Sequence, residues 1–212
     1  MQQVQEIVSQ VRKVVVGKDP VIGSILMAML AQGHVLLEDV PGVGKTTMAL
    51  AFSRTMDLSY KRMQFTPDVM PSDITGYTTL QTGGAAGTYV PGAAMCNLFL
   101  ADEINRASSK TQSALLEVME ENSITVDGVT RAVPQPFLVI ATQNPASSSG
   151  TQPLPESQLD RFMVRLSMGY PDRRSEVEML RRHQNAVSLD SVSRVISPQD
   201  LIVMQREVQS VY

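Results

Sequence analysis

A chain of 212 residues, 43% hydrophobic and 18% charged, has the means to bury a core and is too apolar for wholesale disorder; its length suits one large domain, or one domain with a piece of another. The net charge of −3 argues against a general binder of nucleic acid or anionic membranes. The one cysteine, Cys96, cannot form an internal disulfide and fits a reducing cytoplasm, the N-terminus has no signal-peptide core, and no apolar run is long enough to cross a bilayer.

In chain order, Val4, Ile7, Val8 and Val11 recur at helical spacing and predict an amphipathic helix over 2–14. Asp19-Pro20 follows as an N-cap and first-turn proline, opening a helix that Gly33 stops. Residues 34–38 form the first buried strand, 46–56 a helix and 61–65 a second strand. The Gly-, Thr- and Ala-rich stretch 77–95 is expected to be irregular. A buried strand over 97–102 ends in acid, and Ser108 and Ser109 can cap the next helix. Asp127-Gly128-Val129 between two short apolar runs signals a hairpin. A buried strand is expected at 137–142 and a final short strand at 164–168, with helix from 171 to Tyr212. Apolar strands alternating with helices give an α/β fold, a mainly parallel sheet covered on both faces. The division expected is an α/β core over 1–170 and the beginning of a second, helical unit over 171–212. That unit ends without a cap or polar tail, as in a piece of a longer chain.

Four segments carry chemistry. The run Val35-Leu36-Leu37-Glu38-Asp39-Val40-Pro41-Gly42-Val43-Gly44-Lys45-Thr46-Thr47 is a strand, a glycine-rich turn and a helix start. Backbone N–H groups of such a loop converge on phosphate oxygens, aided by the helix N-terminus. Pro41, Gly42, Val43, Gly44, Lys45, Thr46 and Thr47 are the nucleotide-facing residues; Lys45 reaches the terminal phosphates and the Thr46 hydroxyl ligates Mg²⁺. The strict P-loop pattern asks for Gly where Asp39 stands, a position that ends the strand and need not touch phosphate. Next, Leu98-Phe99-Leu100-Ala101-Asp102-Glu103 puts two acids at a strand end, where α/β sheets place ligands: Asp102 to hold Mg²⁺ and Glu103 to polarise the attacking water. In Val139-Ile140-Ala141-Thr142-Gln143-Asn144-Pro145, Asn144 is the candidate to read the γ-phosphate. Last, Arg161, on a short helix before the final strand, is either an arginine finger for a neighbouring subunit or the partner of Asp160 or Glu156 within its own chain. His34 and His183 are structural or solvated, Cys96 is a packed side chain, and no Cys/His cluster has zinc spacing.

These segments, with Gln64-Phe65-Thr66-Pro67-Asp68, Pro71-Ser72-Asp73-Ile74-Thr75-Gly76 and Leu100-Ala101-Asp102-Glu103-Ile104-Asn105-Arg106-Ala107, resemble the MoxR family of AAA+ ATPases over most of 15–185. The resemblance implies a five-stranded sheet in the order 5-1-4-3-2, an insertion at 77–95, and a hairpin at 123–133. It implies that Val16 and Gly17 begin the adenine pocket, that Asn144 is sensor 1 and that Arg161 is the arginine finger. It also implies ATP and Mg²⁺ as cofactors, a ring, usually a hexamer, with ATP sites between subunits, and chaperone action on partner complexes, often with von Willebrand factor A domains. A sensor 2 arginine would lie beyond residue 212. Two other readings stand beside Mg²⁺-dependent ATP hydrolysis: a nucleotide-gated binding module with little turnover, and a nucleic-acid motor, which the acidic balance disfavours.

Overall fold

The computed structural model describes residues 2–38, 44–79, 87–144, 154–184 and 188–211. Pro41, Gly42 and Val43 of the expected phosphate loop, with Asp39 and Val40, lie outside these, as does the side chain of His183.

The helices are α1 (Gln2–Arg12), α2 (Asp19–Leu30), α3 (Lys45–Thr55), α4 (Pro71–Thr75), α5 (Ser109–Glu121), α6 (Glu156–Leu159), α7 (Arg173–Gln184) and α8 (Pro198–Gln209). The strands are β1 (His34–Glu38), β2 (Tyr60–Gln64), β3 (Tyr77–Thr79), β4 (Thr88–Val90), β5 (Leu98–Asp102), β6 (Ser123–Val126), β7 (Val129–Ala132), β8 (Leu138–Gln143) and β9 (Phe162–Leu166). Five strands form one parallel sheet in the order β2-β5-β8-β1-β9. Counted along the chain, that is 5-1-4-3-2, the order the resemblance implied.

Strand alternation divides the core in two. Val35, Leu37, Leu98, Leu100, Leu138 and Ile140 face one side, where they pack with Ile7 and Val11 of α1, Ile25 and Met29 of α2, and Met48 and Phe52 of α3. Leu36, Phe99, Ala101, Val139 and Ala141 face the other, against Leu115, Leu116 and Met119 of α5. Strands buried on both faces must be apolar throughout, which is why β5 and β8 are continuous hydrophobic runs that turn polar only at their C-terminal ends.

Several expectations need correction. Asp19 is the first helical residue rather than the N-cap; its carboxylate accepts from Arg12 Nε at 2.7 Å, and Lys18 holds the cap position. Gly33 does not carry the left-handed turn that stops α2. Gln32 does, with φ 60°, and Gly33 is needed because a Cβ there would lie 2.5 Å from the Met163 side chain. Within 77–95, β3 and β4 pair as an antiparallel ribbon, and Tyr89 Oη donates to the Thr75 carbonyl at 2.6 Å. The Asp127-Gly128 turn joins β6 to β7, with both residues at positive φ. Helix does not run unbroken from 171 to 212. After α7, a short 3₁₀ turn at Leu189–Ser191 and an extended piece lead to α8. Ser197 caps α8 reciprocally with Asp200. The N–H groups of Val195 and Ile196 donate to the Thr55 carbonyl, Leu201 is fully buried, and Gln205 Nε2 donates to Met29 O at 2.8 Å. This C-terminal segment is therefore bonded to the same core face as α1 to α3.

His34 is structural. Its Nδ1 accepts from the Val139 N–H and its Nε2 bonds the Met119 carbonyl, both at 3.1 Å, tying β1, β8 and α5 together at the lower edge of the sheet. That pattern requires the neutral ring, and burial lowers its pKa below the ordinary 6.5 despite the bond to Met119. The unfolded chain therefore binds the proton first as pH falls. The stabilisation is complete above 6.5 and is lost on descending from there through the folded-state pKa. Urea denaturation on either side of that pH is expected to show stability falling with acid, by up to about 1.4 kcal/mol per pH unit from this one group. In His34→Gln that contribution to the slope should vanish.

Candidate functional site

The C-terminal ends of β2 and β5 face the N-terminus of α3 across a cleft of about 360 Å³. Gly44, Lys45, Thr46 and Thr47 line one wall; Arg62, Gln64, Asp102 and Glu103 line the other. Gly44, at φ 93°, is the N-cap, so α3 begins at Lys45 and its first free N–H groups open on the cleft. Lys45 is 7% exposed and shares the cleft lining with Asp102 at the end of β5 and Glu103 just past it.

The acids are held by Thr142, which is fully buried on β8. Its hydroxyl donates to Asp102 Oδ1 at 2.6 Å and accepts from the Glu103 N–H at 2.9 Å. Glu103 sits at φ 57°, a left-handed conformation that ends the strand and turns its side chain away from Asp102. Its two carboxylate oxygens accept from Asn144 Nδ2 and Arg106 Nη1, both at 2.9 Å. Burial works to raise the Glu103 carboxyl, but the bonds from Arg106 and Asn144 outweigh it and hold the pKa below the usual carboxylate value. Glu103 is thus an anion held by two donors. Asn105, 2% exposed, donates from Nδ2 to the Asn144 carbonyl at 3.0 Å and braces it from behind.

Asp102 has a second partner. Arg62 Nη2 donates to Asp102 Oδ2 at 2.7 Å and to Gln64 Oε1 at 3.1 Å. Residues 62 and 64 share a face of β2, and Gln64 lies directly opposite Asp102 in the register. The pairing raises the Arg62 pKa above its ordinary value. On the other side of the sheet centre, Gln143 and Arg165 both bond the Glu38 carboxylate at the end of β1.

Of the residues the sequence nominated, Gly44, Lys45, Thr46, Thr47, Asp102 and Glu103 come together in the cleft, and Asn144 reaches it through Glu103. Arg161 does not line it. It sits just past α6, and its guanidinium bonds Glu120 and the Leu116 carbonyl of α5, so its own-chain partner is neither Asp160 nor Glu156. Val16 and Gly17 also lie off the cleft lining, against the start of α7: a Cβ on Gly17, whose φ is +70°, would fall 2.2 Å from Ser175 Oγ. Lys18 beside them is 7% exposed and donates to the Met168 and Gly169 carbonyls at 2.5 and 2.9 Å. Cys96 is buried, and desolvation pushes its thiol up to about 11. Sequence reasoning missed Arg62, Gln64, Thr142 and Asn105. Strand alternation alone could have placed Arg62 and Gln64 on the acid-facing side.

The site suits a magnesium nucleotide. The Thr46 hydroxyl and Asp102 carboxylate are the hard oxygen donors Mg²⁺ takes in small number beside phosphate. Asn144 Oδ1 is buried without a partner, an acceptor beside Glu103 fit for a water proton. Among the described residues there is no cluster of three or more His, Cys, Asp or Glu side chains that would hold a metal without a ligand's help.

The sequence pattern of the ATPase family associated with various cellular activities (AAA) matches residues 34–164. The chain is 50% identical over 204 residues to the uncharacterized protein YeaC of Bacillus subtilis, and 42% identical over 196 residues to chaperone MoxR1 of Mycobacterium tuberculosis. It covers 64% and 52% of those proteins, which cover 96% and 92% of it. The chain belongs to the MoxR family of AAA+ ATPases. Protein MoxR of Methylorubrum extorquens is 34% identical over 166 residues, 76% of this chain and 48% of that protein. A crystal structure from Cytophaga hutchinsonii, provisionally described as an ATPase, superposes with a TM-score of 0.85 at 39% identity, covering 98% of this chain and 63% of that one. The chain thus spans about half to two thirds of these relatives. No helix among the described residues is long and apolar enough to cross a membrane.

Thr142 gives a direct test of the site's frame. Thr142→Val keeps shape but removes both bonds, orphaning the Glu103 N–H and releasing Asp102 Oδ1. It is expected to lower unfolding free energy by about 1–3 kcal/mol and to weaken Mg·ATP binding. Thr142→Ser should stay near the parent in both denaturation and calorimetric titration.

Proposed function

We propose that this chain binds ATP with Mg²⁺ and, in the complete protein, hydrolyses it to drive remodelling or maturation of partner protein complexes. The observation that carries this reading is the cleft, where Lys45 and Thr46 at a helix N-terminus face Asp102 and Glu103 at strand ends. Lys45 and the helix N-terminus would hold the phosphates, and Thr46 and Asp102 the metal. When bound, Mg²⁺ supplies charge neutralisation at the phosphates. Glu103 would orient and polarise the water. Asn144 fixes Glu103 through one amide nitrogen and keeps its amide oxygen to accept from that water.

A second reading, a nucleotide-gated module with slow turnover, is favoured by one feature: both Glu103 oxygens are already engaged, by Asn144 and Arg106. Single-turnover phosphate release separates the two.

The wider reading follows the family. The complete protein would assemble as a ring, a hexamer, with Arg161 turning from Glu120 to a neighbour's nucleotide. Residues 171–212 would contribute to a lid over the base beside Val16 and Gly17. Client complexes would be those of a cytoplasmic chaperone, with von Willebrand factor A domains among their components. The chaperone name of the mycobacterial relative and the shared core support this reading.

Two substitutions test the chemistry. Lys45→Ala is expected to weaken Mg·ATP binding roughly a hundredfold in calorimetric titration, because a charged partner of the phosphates is lost. Unchanged affinity would remove the nucleotide reading. Glu103→Gln should leave binding nearly intact and slow phosphate release from the complete protein by about 10²–10⁴. Undiminished release would move the catalytic role to another residue.

A further inference from the structure

Arg62 stands in the nucleotide cleft with no part in the reading above. It is a cation on the edge strand of the sheet, and its side chain is 45% exposed. Its partner Asp102 is only 14% exposed. A carboxylate so enclosed needs compensation, and a hydroxyl alone supplies little. The two oxygens of Asp102 are treated differently. Oδ1 takes the neutral Thr142 hydroxyl, a donor that leaves a cation free to approach, whereas Oδ2 takes the Arg62 guanidinium at 2.7 Å. A metal ion that takes Oδ2 competes with the guanidinium there, since both are positive and both draw on that oxygen's lone pairs.

We infer that Arg62 is a positioning residue that stands in for the metal: it neutralises Asp102 and fixes its rotamer while the metal is absent, and it leaves Oδ2 when magnesium nucleotide enters. The exposure of Arg62 permits the exchange, because the guanidinium has solvent to move into and keeps its second acceptor, Gln64 Oε1 at 3.1 Å. The exchange keeps the charge beside Asp102 balanced in both states. Without it, an incoming triphosphate would meet a bare carboxylate across the cleft from Lys45 until the metal was seated.

This inference rests on the magnesium-nucleotide reading of the cleft, and one experiment separates the two. The probe is an N-methylanthraniloyl derivative of AMP-PNP, titrated by fluorescence into the full chain in EDTA and again in excess Mg²⁺. The quantity read is the ratio of the metal-free to the metal-bound Kd. In Arg62→Gln the metal-free complex loses the cation that covers Asp102, so the ratio should rise about threefold to tenfold over the parent. Arg62→Lys, which restores a charge, should return it most of the way, and it carries the test if the Gln protein fails to melt cooperatively. A ratio unchanged in Arg62→Gln overturns the inference in either form it can take. If both affinities weaken equally, Arg62 is a plain phosphate ligand; if neither moves, the ion pair is inert. Failure of the parent to bind the probe in both buffers would instead overturn the nucleotide reading, and this inference with it.

Discussion

One buried hydroxyl holds the site in shape. Thr142 lies on the strand beside the acids, and its single oxygen serves as donor to Asp102 and acceptor from the Glu103 backbone. Because it is fully buried, neither bond can be replaced by water without opening the sheet. The consequence reaches past the acids. The left-handed turn at Glu103 places its carboxylate between Asn144 and Arg106, and Asn144 in turn is braced by Asn105. The last residue of β5 and the one after it thereby take separate tasks, one facing α3 and the other facing the end of β8. A sheet buried on both faces suits this purpose, since its strands cannot shift register without moving every side chain to the wrong layer.

The cleft is also an electrostatic balance. Lys45 and Arg62 are its cations and Asp102 and Glu103 its anions, so the local charge is near zero before any ligand arrives. Each acid already holds an arginine: Arg62 on Asp102 and Arg106 on Glu103. Each pair joins a half-exposed guanidinium to an enclosed carboxylate. Their effect here is on readiness, because a ligand bringing both phosphate and metal would meet a site whose charges are already paired.

Much of this was legible in the sequence. Alternating apolar strands and helices gave the layers, and the Gly44-Lys45-Thr46 step and the Asp102-Glu103 pair announced the two walls of the cleft. The P-loop signal was strong because a strand, a turn and a helix start each left their own mark. Arg62, Gln64 and Thr142 were harder to see, since each acts across a strand pairing and nothing local marks a cross-strand partner. For His34 the sequence left structural and solvated roles open, and only the fold shows that it bonds Met119 on one side and Val139 on the other. Residues 77–95 misled because their Gly and Thr content masks a two-stranded ribbon of three residues a side, too short for periodicity to register. Asp19 misled because an Asp before Pro has the chemistry of a cap, while Arg12 claims its carboxylate.

The junction at Gly17 and Lys18 has a mechanical consequence. Lys18 grips two carbonyls in the segment that leads from β9 to α7, and Gly17 lets the first turn of α7 rest directly on the backbone. A helix fastened this way is not a flap on a loose string. Tilting it means either breaking two charge-assisted bonds or carrying Val16 to Lys18 along with it. Any displacement of α7 that keeps those bonds must therefore be shared by the chain entering α2.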